Sequence, residues 1–547
     1  MRASALLVAL VLAAPAAAQP EIVPAEHRVY DWLRTQRVAG HLPEYRHETL
    51  PYDRAAVRRH LDSLSVREGG LGPSGRYWLS EYRREFFEPL DRVHSYAGDG
   101  QAAPLDPDAE RTLGFFRDST WRVSVWGEGI VEGRTAGGAV DAGGLARSVR
   151  LTVEASWRDR VGLYTSTLAG TQMTGSAQVL RADPVLRPLY YVQLDPANVP
   201  GPYDRTSASL RAVAGPFSAE IANQRLRYGA GDEPVVLGDG TDYLPFVRLG
   251  LQGRSVTVQA VHAALNSPPR TVFDSTGNGA FFESPERYLA MHRVEVQPTG
   301  WLTGAYTGMV VYGLRGPEVA YLNPLFPVKT AEHALWDRDN TLLSLEATLR
   351  PLRGLEAYAV WLLDDFASAT FGDDDYGNKW SVQTGVRGAV PGAGVTAFGE
   401  YVRIEPYTYT HRFREDGFFF NSYVHNGFGL GHPLGPNADQ WLAGVEAWLP
   451  FRARGRAAGR YVRKGRNPVD PVTGAVTQVG GDVALGTAPP DRRKRFLAGD
   501  LFQGPGLQVE AEVEPARGVA LRLYGDAQWW RGREAEVFVR FGLAVRP

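Results

Sequence analysis

The densest concentration of side chains able to recognise a ligand lies between residues 405 and 438. It holds Tyr407, Tyr409, His411, Arg412, Arg414, Phe418, Phe419, Phe420, Tyr423, His425 and His432, with glycines at 427, 429, 431 and 435. Aromatic rings stack on the apolar faces of sugars, and guanidinium groups grip carboxylates bidentately. The mixture suits a polysaccharide-binding surface, with Tyr407, Tyr409, His411, Arg412, Arg414, Phe419, Tyr423 and His432 as the expected glycan contacts. For any single one of them the plainer reading is an aromatic girdle at a membrane interface, or a loop packing on itself. Other clusters carry less. Asp364-Asp365 and Asp373-Asp374-Asp375 lack the alternate spacing of a dedicated Ca²⁺ loop and read as solvated charge. His411, His425 and His432 share a loop, but without a helical pair or HExxH spacing no metal site is expected. No G-x-S-x-G nucleophile elbow and no phosphate-binding P-loop occurs, so no catalytic residue, enzyme activity or cofactor is expected.

The elements that position this loop follow an alternating grammar from Thr120 onward. Tight turns at Asp159-Arg160, Gly215-Pro216, Gln252-Gly253, Pro298-Thr299, Leu352-Arg353, Pro391-Gly392, Pro450 and Pro515–Gly518 alternate with long connections. The long ones are 172–206, 229–244, 265–285, 314–340, 366–377, 405–438 and 465–506. Between them eighteen strands can be placed, the first at 120–131, the second at 146–158 and the last at 535–546. Short turns on one side and long loops on the other are the pattern of an outer-membrane barrel. Within strands, Leu345, Ala347 and Leu349 oppose Glu346, Thr348 and Arg350, and Val537, Val539, Phe541 and Leu543 oppose Arg540. This period of two predicts an apolar lipid face and a polar lumen, with Arg350, Glu510, Glu512 and Arg540 lining it. The fold class expected is a mainly-β, 18-stranded antiparallel transmembrane barrel. The even strand count returns both ends of the barrel to the periplasm and places 405–438 outside the cell.

The amino terminus supplies the address. Arg2, an apolar run from Ala3 to Ala14 and Ala16-Ala17-Ala18 make a secretory signal over 1–18, too short for a membrane-spanning helix. Residues 19–95 predict a small periplasmic bundle of α-helices: Val29, Trp32 and Leu33 on a first helix, a second capped by Asp53, and a third after Ser74 with Trp78, Tyr82 and Phe86. Gly98, Gly100, Pro104 and Pro107 mark 96–119 as a linker, and 120–547 is the barrel. A mean hydropathy of -0.25 fits a barrel, in which only alternate strand residues face lipid. The net charge of -2 excludes strong attraction to nucleic acid. Cysteine is absent, and lysine occurs only at 329, 379, 464 and 494, so arginine supplies nearly every cation.

Several segments together resemble the Wzi-like capsule assembly family of outer-membrane proteins. They are Tyr30-Asp31-Trp32-Leu33 through Leu50-Pro51, Asn223 to Gly231 (NQRLRYGAG), Asn323-Pro324-Leu325-Phe326, Asp339 to Leu343 (DNTLL), Leu363-Asp364-Asp365-Phe366, Glu400-Tyr401 with Tyr407 to His411 (YTYTH), and Gly431 to Pro436 (GHPLGP). Their order and spacing span nearly the whole mature chain. The resemblance implies an eighteen-stranded barrel with a helical bundle at its periplasmic end, acting as a non-enzymatic surface lectin that retains capsular polysaccharide or exopolysaccharide. Its expected surroundings are outer-membrane lipid, and its expected state a monomer. One departure is the carboxyl end, Val545-Arg546-Pro547, where outer-membrane barrels often carry an aromatic residue. The alternative class is a diffusion or export channel whose selectivity is set by the charged lumen.

Overall fold

The computed structural model describes residues 19–546, apart from 88–91, 105, 107, 139–140, 188–201, 239, 241, 268–269, 274–279, 284, 325, 366–372, 391, 413–418 and 490. The expected signal segment 1–18 and Arg414 therefore lie outside the described residues. Eighteen long strands form one closed antiparallel barrel. They are β1 (Trp121–Gly137), β2 (Ala142–Trp157), β3 (Val161–Gln172), β4 (Pro202–Ala214), β5 (Phe217–Gln224), β6 (Leu244–Gln252), β7 (Val256–Ala264), β8 (Arg287–Thr299), β9 (Leu302–Gly313), β10 (Asn340–Leu352), β11 (Leu355–Asp365), β12 (Lys379–Val390), β13 (Val395–Ile404), β14 (Ala438–Leu449), β15 (Ala453–Arg466), β16 (Asp500–Ala516), β17 (Val519–Gln528) and β18 (Glu536–Val545). The seam closes by pairing β18 with β1, from Val537 opposite Gly137 to Val545 opposite Gly129. Below that seam Gly114–Arg117 pairs with the start of β1, so part of the stretch expected as a linker is built into the wall.

The period of two is the lipid-facing pattern. On β10, Leu345 (55% exposed) and Leu349 (41%) point outward while Glu346, Thr348 and Arg350 are buried inward. Exposed Trp361, Trp441, Tyr461 and Trp529 mark the long-loop end of the outer wall, and Trp121, Phe217, Trp301 and Phe451 the short-turn end. An apolar belt flanked by aromatic girdles is the exterior of a membrane-spanning barrel. Tight turns join the strands at one rim; at Phe451-Arg452 two successive residues take φ 64° and 53°, the geometry of a hairpin turn that follows the strand twist. The strict alternation of short and long connections has two exceptions at the opposite rim. β1 and β2 run past their expected ends and meet through residues 138–141, and β17 and β18 meet through 529–535. Both hairpins flank the seam.

The head contains α1 (Val29–Val38), α2 (Arg54–Val66) and α3 (Pro73–Phe87). Asp53 caps α2 as expected, its carboxylate accepting the Ala56 amide at 2.8 Å. Every residue of α1 except Asp31 is buried, and a helix buried all round must be enclosed rather than laid on a surface. Its enclosure is the barrel mouth. Gly354 in the turn between β10 and β11 donates to Val38 O (2.8 Å), Gln297 of β8 donates to Pro43 O (2.6 Å), and Trp78 of α3 donates to Leu449 O (2.9 Å). Trp78 also meets Trp448 of β14 edge-on at 5.0 Å. The head's hydrophobic core includes that barrel tryptophan, so head and barrel share one core at the short-turn rim.

At the opposite rim the connection 314–339 behaves differently. It carries α4 (Val319–Leu322) and α5 (Val328–Ala334) and folds against the outer wall. Tyr321, Val328 and Ala331 cover Ala290, Val310 and Tyr312, whose neighbours Met291, Met309 and Val311 point into the lumen. Trp336 at its end is 90% exposed.

Candidate functional site

The lumen is filled from both ends. From the short-turn side, Arg37 of α1 pairs with Glu48 (3.0 Å) and with Glu356 of β11 (2.7 Å), all three buried. Glu48 is held well below its ordinary range: burial pushes its carboxyl up, but the Arg37 guanidinium outweighs that. Arg293 of β8 donates to Thr49 Oγ1 (2.8 Å), and Thr49 donates to Glu295 (2.7 Å). Arg28 pairs with Glu512 of β16 (3.0 Å), Arg54 with Glu154 of β2 (3.1 Å) and Arg122 of β1 with Glu21 (2.6 Å). Charges buried without partners would be costly, and these inward-facing barrel charges find theirs on the head.

From the long-loop side, the connection between β5 and β6 turns inward. Its strand Arg227-Tyr228 pairs with Thr49-Leu50 of the head, so material from the two mouths meets inside the barrel. Gly229 N donates to Glu48 O (2.9 Å), and Tyr228 and Leu237 exchange backbone hydrogen bonds. Ala230, Val235, Val236 and Leu237 are at most 1% exposed. Asp232 is clamped by Arg387 of β12 (2.7 Å) and Arg456 of β15. Although burial opposes ionisation, Arg456 and Arg387 hold this carboxyl below its ordinary range.

The expected glycan contacts close over this plug. Tyr409 and Tyr423 stack at 5.7 Å, and their hydroxyls donate to Val235 O (2.8 Å) and Val236 O (2.7 Å). Tyr407 donates to Gln478 O (3.1 Å) and meets Tyr376 edge-on. Tyr407, Tyr409, Phe419, Tyr423 and His432 are each no more than 6% exposed. In this structure these five rings therefore offer no accessible face on which a sugar could stack. They form a lid core because the inward loop offers buried carbonyls that need donors. His432 is kept neutral, burial lowering its pKa to about 3. His411 is half-buried and pushed well below its ordinary value by burial, while Arg412 is exposed on the outer surface.

Between plug and wall a cavity of about 550 Å³ remains, lined on the barrel side by β1–β3, β12 and β14–β18. Glu510, Glu512 and Arg540 line it as expected residues of the lumen. Arg350 faces inward too, but it is packed at the short-turn rim, donating to Gly300 O (3.0 Å) and Thr303 Oγ1 (2.7 Å). Two arginines that line the cavity, Arg134 and Arg540, donate to the fully buried Asp183 (2.9 and 3.0 Å). Glu26 and Asp31 of the head border the cavity and are accessible to solvent, so it is an aqueous space with mixed charge. Arg227, Asp232, Arg387 and Arg456 were not among the expected site residues. Their one visible signal was the run Arg225 to Gly231, in which glycines allow the chain to turn into the lumen.

No family model matches the chain, and no curated protein sequence matches it. Among solved structures, the chain is similar to Wzi, an outer-membrane protein involved in group 1 capsule assembly in Escherichia coli and described as a carbohydrate-binding β-barrel. The TM-score is 0.58 at 12% identity, covering 96% of this chain and 99% of that one. A doubly substituted variant of OccD1 (OprD) gives a TM-score of 0.44 at 12% identity over 80% of this chain and 97% of that one. OprD of Pseudomonas aeruginosa gives 0.43 at 11% identity over 80% and 97%. At these identities the likeness concerns the fold: this chain has the Wzi-like architecture of helices plus eighteen-stranded barrel.

Proposed function

We propose that this protein is a non-enzymatic outer-membrane barrel that binds polysaccharide at the cell surface and helps attach or assemble it there. The carrying observation is the doubly filled lumen. Head and inward loop meet at Thr49-Leu50 and Arg227-Tyr228, and the Tyr409–Tyr423 pair seals that contact from outside. A barrel so occupied works at its outer face rather than by passing solutes. The Wzi likeness supports the same reading, since it extends over the head as well as the barrel. The ligand would be held by accessible groups of the outer rim, Arg412 among them, and not by the buried tyrosines. The diffusion-channel alternative requires the head or the inward loop to leave the lumen, against the ion pairs just described. Binding of the detergent-purified protein to polysaccharide isolated from the same cells tests the proposal; absence of binding would sink it.

A further inference from the structure

A pair of arginines that makes no ion pair among the described residues stands at the long-loop rim, near the closing seam. The guanidinium carbons of Arg466, at the end of β15, and Arg533, in the β17–β18 connection, each lie 3.8 Å from the centre of the Phe502 ring. Two guanidiniums that close to one ring centre cannot share a face without clashing, so they sandwich the phenyl ring. Trp530 abuts the same ring edge-on at 5.6 Å, and its indole N–H is buried with no acceptor. Both arginines are exposed. Neither has a carboxylate within 4 Å among the described residues, although Asp500 is the cross-strand neighbour of Arg466 and the charge of Glu536 also acts on it.

Direction distinguishes what could fill the site. Strand parity turns Leu501 and Trp529 outward, where they are 41% and 43% exposed on the lipid side. Phe502 and Trp530 have the opposite parity, shared with the inward-facing Glu510, Glu512 and Gln528, so the sandwich faces the barrel's outer mouth and not the bilayer. Stacking fixes each guanidinium plane while leaving its N–H edge available, the arrangement that suits planar anions.

We infer that Arg466, Phe502 and Arg533 form a binding site for the carboxylates of an acidic extracellular glycan. This rests on the polysaccharide reading above and narrows it to uronic-acid-type chains. The test is binding of oligogalacturonate and of a neutral malto-oligosaccharide of equal length to the full-length protein in detergent. It compares wild type, the R466Q/R533Q double variant and F502L, with heat-modifiable gel mobility as a check that each barrel is folded. Wild type is expected to prefer oligogalacturonate, and the double variant to bind it at least about tenfold more weakly, as loss of charge-assisted hydrogen bonds implies. Added salt should weaken wild-type binding in the same direction. F502L, which keeps both charges but removes the stacking surface, should show an intermediate loss. Undiminished oligogalacturonate binding by a folded double variant overturns the site. Equal wild-type binding of charged and neutral chains also overturns it while leaving the polysaccharide reading standing. Binding of neither chain overturns it as well, and the broader reading is then judged on the cells' own polysaccharide.

Discussion

At the scale of single residues, buried hydrogen bonds rather than exposed rings account for the loop that looked most like a ligand site. Tyr423 OH donates to Val236 O at 2.7 Å with both groups buried. Tyr423→Phe leaves that carbonyl without its donor and should cost about 1–3 kcal/mol, read as a lowered urea or thermal midpoint of the refolded protein; an unchanged midpoint would show that the lid does not depend on it. Glu48 makes a pH prediction. Its ordinary value is 4.5 and the folded protein holds it lower, chiefly through Arg37 opposing the effect of burial. A depressed carboxyl contributes stability that is present above the ordinary value and lost as pH falls through the folded one. The head should therefore resist proteolysis unchanged from about pH 8 to about pH 5 and begin to yield below about pH 4.5. Glu48→Gln, which leaves Arg37 with Glu356 alone, should cost about 3–5 kcal/mol at neutral pH, the usual penalty for breaking a buried pair. Wild-type-like protease resistance of that variant would contradict the assignment.

Elements were far more legible in the sequence than the roles of side chains. All eighteen expected strands are present, because lipid on one face and polar lumen on the other enforce strict alternation, although β1, β2, β4 and β16 reach several residues further towards the long-loop rim than the pattern indicated. Asp53 capping α2 and the Trp32, Trp78 and Tyr82 faces were legible for the same local reason. The fate of long loops was not. Tyr409, Tyr423 and His432 have the composition of a surface, and what buries them is residues 225–238, remote in sequence and met only once the barrel closes. The segment Gly229–Leu237 is thus the element whose removal is most informative. Replacing it with a Gly/Ser chain of equal length should raise single-channel conductance in planar bilayers well above that of wild type, whose lumen is occupied. A large, open wild-type conductance would instead favour the channel alternative.

For the whole molecule, head, inward loop and lid make one continuous fill of a barrel whose wall alone would enclose an open channel. Ion pairs across the filling, such as Arg37–Glu356 on β11 and Arg54–Glu154 on β2, tie it to opposite parts of the wall. This leaves the outer mouth, with Arg412 and the Arg466–Phe502–Arg533 sandwich, as the surface offered to the exterior. The most direct measurement is the partition of polysaccharide between cell surface and medium in a strain lacking this protein, with and without complementation. The account predicts that deletion sheds polysaccharide into the medium and that the intact gene restores attachment. Polysaccharide that stays equally attached without the protein would contradict it.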